Sequence, residues 1–139
     1  MKKATDIISA LKLSAHPEGG HFGETFRDSG ETTSLIFYLL GKGETSHWHR
    51  LTKNEILHFY DGDAMKVQTS SDGQKIKNVT LGKDLAQGQH YHWVVPAHTW
   101  FSMQSMGEWS LIGCTVSPAF TFDDFELARP EWSPGDDLR

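Results

Sequence analysis

Six of the eight histidines of this chain fall into two clusters: His47, His49 and His58, then His90, His92 and His98. A strand places residues i and i+2 on one face, so His47 and His49 point the same way. Glu55 follows a short turn, and a neighbouring strand then adds its carboxylate to the two imidazoles. Two histidines and one carboxylate on one face suit Fe(II), and related sites hold Mn, Zn or Ni. Without a metal, the same set offers a histidine base working near neutral pH. The bland alternative is a structural or merely exposed H-x-H pair. His90 and His92 repeat the spacing, but no carboxylate follows them nearby. His58, three residues after Glu55, belongs on the opposite face, with a structural hydrogen bond as its expected role.

These residues need strands to position them, and the chain supplies strand signals. Thr32–Leu40, Glu55–Tyr60, Ala64–Ser70, Gln74–Leu81, His90–Val95, Thr99–Ser105 and Trp109–Val116 all read as short strands. Asp72-Gly73 predicts a two-residue hairpin, and Met106-Gly107 a similar tight turn. Helical signal is confined to the ends. Thr5 is placed to cap a helix through Leu13, with Ile7, Ile8 and Leu11 on one face. Thr121 and Asp124 have the spacing of a capping box for a second short helix through Ala128. The prediction is an all-β barrel or sandwich with short N- and C-terminal helices.

At 139 residues, one domain is expected, large enough for a core without disulfides. The single Cys114 excludes a disulfide framework or a Cys-rich zinc site and reads as a small buried hydrophobe. No apolar run approaches the ~20 residues of a membrane span, and no signal peptide follows the first residues, which predicts a cytoplasmic protein with no membrane partner. Net charge is −5, of which −4 lies in an acidic tail over residues 123–139. That tail reads as solvated surface. No basic stripe is present, so nucleic acid is not an expected partner. Trp48, between the two histidines, points away from the pocket, and with the apolar stretch Ser34–Leu40 it suggests a homodimer.

The frame around the first cluster is more informative than the cluster itself. Gly41, five residues, His47-Trp48-His49, five residues, Glu55, six residues and Gly62 resemble the first motif of the cupin superfamily, with a longer gap before the glutamate. The second cupin motif is looser. Seven residues separate Gly88 from Pro96, His98 occupies a glycine slot, and Phe101 stands where a fourth metal ligand, a histidine, is expected. Other blocks match a small cupin branch of unknown function: His16–Arg27, Glu55–Asp63, Val95–Trp100, Gly113–Pro118 and Asp124–Leu127. Gly23 stands where that branch has arginine.

The resemblance implies a double-stranded β-helix, the cupin jelly-roll barrel, over about residues 20–118. A helix at about 5–13 would precede it and the tail at 123–139 would follow. It also implies a dimer and a pocket inside the barrel. On that reading His47, His49 and Glu55 converge as the catalytic or metal-binding set, with any divalent Mn, Fe, Zn or Ni weakly held because Phe101 closes the fourth position. Glu24, Arg27, His98, Trp100 and Phe101 are then the ligand-binding candidates, and Glu18 lies near the pocket. The implied function is binding of a small molecule. The alternatives are acid–base catalysis on a sugar-like or carboxylate substrate, by analogy with cupin epimerases and isomerases, or a metal-dependent oxygenase or isomerase.

Overall fold

Within residues 2–138, which the computed structural model describes, the chain begins with helix α1 (Ala4–Leu11). Strands follow as β1 (Ser14–Ala15), β2 (His21–Arg27), β3 (Ser34–Gly41), β4 (Thr45–Leu51), β5 (Glu55–Gly62) and β6 (Met65–Ser70). The remainder are β7 (Lys77–Leu81), β8 (His92–Val95), β9 (Trp100–Ser105), β10 (Trp109–Val116) and β11 (Phe125–Leu127). They form two antiparallel sheets, one in the order β1-β2-β3-β10-β5-β8 and the other β11-β4-β9-β6-β7. This is the expected jelly roll.

The inner faces meet in a core of Leu40, Leu57, Met65, Val67, Leu81, Ile112 and their neighbours, closed by Phe101 and Met103. Helix α1 lays Ile7, Ile8 and Leu11, the predicted face, over Leu39, Trp109 and Leu111 on the outside of the six-stranded sheet. Its N-cap is Lys3 rather than Thr5, and the Asp6 carboxylate accepts the Lys3 N–H at 2.9 Å.

Three expectations need correction. The helix anticipated from Thr121 is a single 3-10 turn, Phe122–Asp124, followed by β11. The Thr121 hydroxyl does bond the Asp124 carboxylate at 2.7 Å, so the local capping signal is real. It is overridden because residues 125–127 complete the open edge of β4. The turn at Asp72-Gly73 is wider than two residues, since β7 starts only at Lys77. Asp72 Oδ1 accepts the N–H groups of Gln74 and Lys75 at 2.8 and 2.9 Å and holds the chain in a broader loop. The acidic tail is solvated surface only in part: its acids other than Asp124 are exposed, yet the segment is docked on the barrel. Asp124 pairs with Lys53 at 2.7 Å and Glu126 with Arg50 at 2.9 Å. Trp132 buries itself between Trp48 and Trp100. Trp48 points outward as expected but is covered by the chain's own tail, so it offers no surface to a second copy.

Candidate functional site

One end of the barrel is hollow. A cavity of about 320 Å³ opens there, with aromatic and aliphatic walls and a polar floor. Its geometry begins with an irregularity in β4. Ser46 pairs with Met103 and His49 with Phe101, so three steps on β4 match two on β9. The extra residue is a bulge, and it breaks simple alternation. Ser46 and His49 both face inward, whereas His47, expected beside His49, does not line the cavity. His47 Nε2 instead bonds the Arg129 carbonyl at 2.8 Å on the outside. Its freed backbone N–H donates to the Glu18 carbonyl at 2.8 Å.

That bond ties the loop before β2 to the barrel. Gly19 has φ +114°, and a Cβ there would collide with the Thr45 carbonyl, so the loop lies flush on β4 only because this residue is glycine. The close approach drives Glu18 inward, leaving it 8% exposed. Ser46 Oγ donates to its carboxyl, and Tyr38 Oη donates to the Gly19 carbonyl next door. Glu18 Oε1 lies 3.4 Å from His16 Nδ1, and Oε2 lies 3.4 Å from His49 Nε2. Glu55, also 8% exposed, reaches the same cavity from β5, next to the Cys114 thiol of β10.

Burial sets the protonation of this floor. His49 Nδ1 bonds the His47 carbonyl at 2.7 Å, and burial lowers its pKa to about 3, so the ring is neutral with Nε2 free to accept. His16 Nδ1 accepts the Glu18 N–H at 3.1 Å, and burial lowers its pKa to about 4. Two neutral imidazoles are neighbours of the carboxyls, and among the described residues no cation pairs with either carboxyl. Burial, together with the Glu55 charge, raises Glu18 well above the carboxylate range, and burial brings Glu55 to about 7. Burial therefore favours the protonated form of Glu18, whose Oε2 lies near His49 Nε2, while Glu55 is divided between its two states.

The mouth carries Glu24, Arg27 and a group of phenylalanines. Arg27 grips the Glu24 carboxylate with two N–H groups at 2.9 Å and the Phe120 carbonyl at 2.8 Å. Phe120, Phe122 and Phe125 pack on one another with ring centroids 5.0–6.2 Å apart, and Phe122 is 54% exposed at the rim.

Of the residues singled out from the sequence, His49, Glu55, Glu24 and Arg27 meet in the cavity, and Glu18 joins them. His47, His98 and Trp100 do not. His98 is exposed, with φ +66° in the turn where the cupin branch has glycine. Trp100 belongs to the outer tryptophan layer under Arg50. Phe101 faces inward but stands behind His49, with ring centroids 4.0 Å apart, in the packed core. His58 is on the opposite face, bonded to Thr115 Oγ1 at 3.0 Å. The metal set expected from His47, His49 and Glu55 is therefore not assembled. Among the described residues, no group of three or more His, Cys, Asp and Glu side chains is arranged to hold an ion. His16, Tyr38 and Ser46 were not candidates. Alternation in Ser34–Leu40, which lines up Ser34, Ile36 and Tyr38 on one face, was a signal for the second of them.

A two-sheet jelly roll with a polar-floored cavity at one end defines the cupin class. The family model described as "Cupin superfamily (DUF985)" matches residues 5–128, and the chain belongs to this family. A crystal structure of a protein from Shewanella oneidensis is 39% identical, with a TM-score of 0.86 over 91% of this chain and 85% of that one. A hypothetical protein from Leishmania major is 26% identical, with a TM-score of 0.83 over 90% and 86% of the two chains. Oxalate decarboxylase from Bacillus subtilis shares the fold at 13% identity and a TM-score of 0.65, with 81% of this chain matching 29% of that one. No curated protein matches in sequence.

Proposed function

We propose that the protein binds a small organic molecule in the hollow end of the barrel and exchanges protons with it through Glu55 and Glu18. The observation that carries this reading is the cavity floor, where two buried carboxyls and two neutral imidazoles converge with no cation from the described residues paired to them. The volume lies at the lower end of the ~300–1,000 Å³ typical of ligand sites, and apolar walls with few polar groups are the usual pattern. Glu55, half-ionised near pH 7, suits a general base, and Glu18, biased by burial towards its protonated form, suits a general acid. This favours acid–base chemistry over a metal-dependent oxygenase or isomerase, because the donors that reach the cavity do not form a ligand set.

The test is ligand-observed NMR with a library of small polar molecules on wild type and on Ile36→Trp, which fills the cavity from its wall. Binding to wild type that disappears in Ile36→Trp supports the reading. Binding that survives the filled cavity, or no binding by any member, contradicts it.

A further inference from the structure

Resting on the cavity reading above, we infer that the ligand is an organic cation. An ammonium or amidinium group would lie between Glu18 and Glu55, and its apolar body against the phenylalanines of the mouth.

The cavity holds more acids than bases. The ionisable acids facing the cavity are Glu18 from the loop before β2, Glu24 from β2, Glu55 from β5, Cys114 from β10 and Tyr38 from β3. Facing them among the described residues are His16 from that loop, His49 from β4 and one permanent cation, Arg27 from β2. Arg27 is already committed to Glu24, Glu31 and the Phe120 carbonyl. Each imidazole has one ring nitrogen engaged by a backbone group, and burial keeps both rings neutral. Among the described residues, no lysine or arginine pairs with Glu18 or Glu55.

A buried carboxyl without a counter-charge either keeps its proton or takes a cation from outside. An anionic ligand would bring a charge that no free cation among the described residues answers. A cationic ligand supplies what is missing, and Phe120, Phe122 and Phe125 surround the entrance with rings of the kind that attract onium groups. Binding then displaces the Glu55 proton to solvent.

Three probes of one shape separate charge from size: benzylammonium, benzyl alcohol and benzoate. Calorimetry near pH 6.5 in two buffers of different ionisation enthalpy should show benzylammonium binding about tenfold or more tighter than benzyl alcohol, with benzoate weakest. Proton release should accompany only the cation. The preference should collapse in Glu55→Gln, which removes the charge a cation would answer, and weaken in Glu18→Gln, which replaces a carboxyl without changing shape. Benzyl alcohol or benzoate binding as tightly as the amine overturns the cation assignment and leaves the cavity reading standing. Amine binding unchanged in both variants places the cation elsewhere and overturns the assignment. Silence from all three probes at millimolar concentration overturns the cation assignment and the cavity reading together.

Discussion

The two ends of this barrel are built from the same strands and differ by two residues' travel along each. On β5, Glu55 lines the hollow end and Leu57 the packed end; on β3, Tyr38 faces the hollow and Leu40 the core. On β10, Cys114 lies at the boundary, with Ile112 in the core and Val116 in the cavity wall. The packed end gives the fold its stability through apolar burial. The hollow end gives some of that stability up by holding two carboxyls away from water without a cation, an arrangement that suits a ligand site and nothing in the core.

The largest effect that sharpens this contrast is expected at the packed end. Leu57→Ala should cost about 2–5 kcal/mol in urea unfolding while leaving ligand binding at 25 °C unchanged. A loss of affinity larger than the loss of stability would mean that the two ends are not separable.

Glu55→Gln should do the opposite. The Glu55 pKa is raised on folding to about 7, so between its unfolded value and pH 7 the native state holds more protons than the unfolded one, and stability falls as pH rises. The variant removes that fall. It should be more stable than wild type at pH 8, by on the order of 3 kcal/mol at most, and nearly equal to it at pH 4. Thermal melts across this range check the sign, and a variant less stable at pH 8 would contradict it.

The histidines set the acid limb. Both His16 and His49 have lowered pKa values in the fold, about 4 and about 3. The unfolded state therefore binds more protons below its own histidine pKa, and stability is lost as pH falls from about 6.5 towards 4. His49→Phe should make that limb shallower, on the order of 2 kcal/mol between pH 6.5 and 4. An unchanged limb would mean that His49 is protonated in the native state.

The smallest effect should come from His47→Ala. The residue lies outside the cavity with one hydrogen bond to Arg129, so its loss should cost about 1 kcal/mol and leave binding alone. A His47 variant that loses ligand would restore the three-residue site expected from spacing.

That contrast between His47 and His49 also shows what the sequence made legible. The frame of Gly41, His47, His49, Glu55 and Gly62 pointed to the right barrel and brought His49 and Glu55 to the right place. The strand Trp109–Val116 was read to the residue. The H-x-H spacing failed for a physical reason, since a bulge is a tertiary accommodation of the loop carrying Glu18 and has no local signal in the residues Ser46-His47-Trp48-His49. Gly19 and Gly20 both have positive φ in the turn before β2, and the effect of that turn, driving Glu18 inward, is not legible in the two glycines. The 122–127 segment was misread for the same kind of reason. Its capping signal was present, and the open edge of β4 outweighed it.

Glu55 is buried in the hollow end, with no cation among the described residues paired to it, and burial raises its pKa to about 7. Carbon-detected NMR of the glutamate side-chain carboxyl carbons, with Glu55 assigned by its absence in Glu55→Gln, measures this directly. The account predicts half-protonation of Glu55 near pH 7, moving downward when benzylammonium is added. A Glu55 titration near its ordinary value of 4.5, unmoved by the amine, would contradict it.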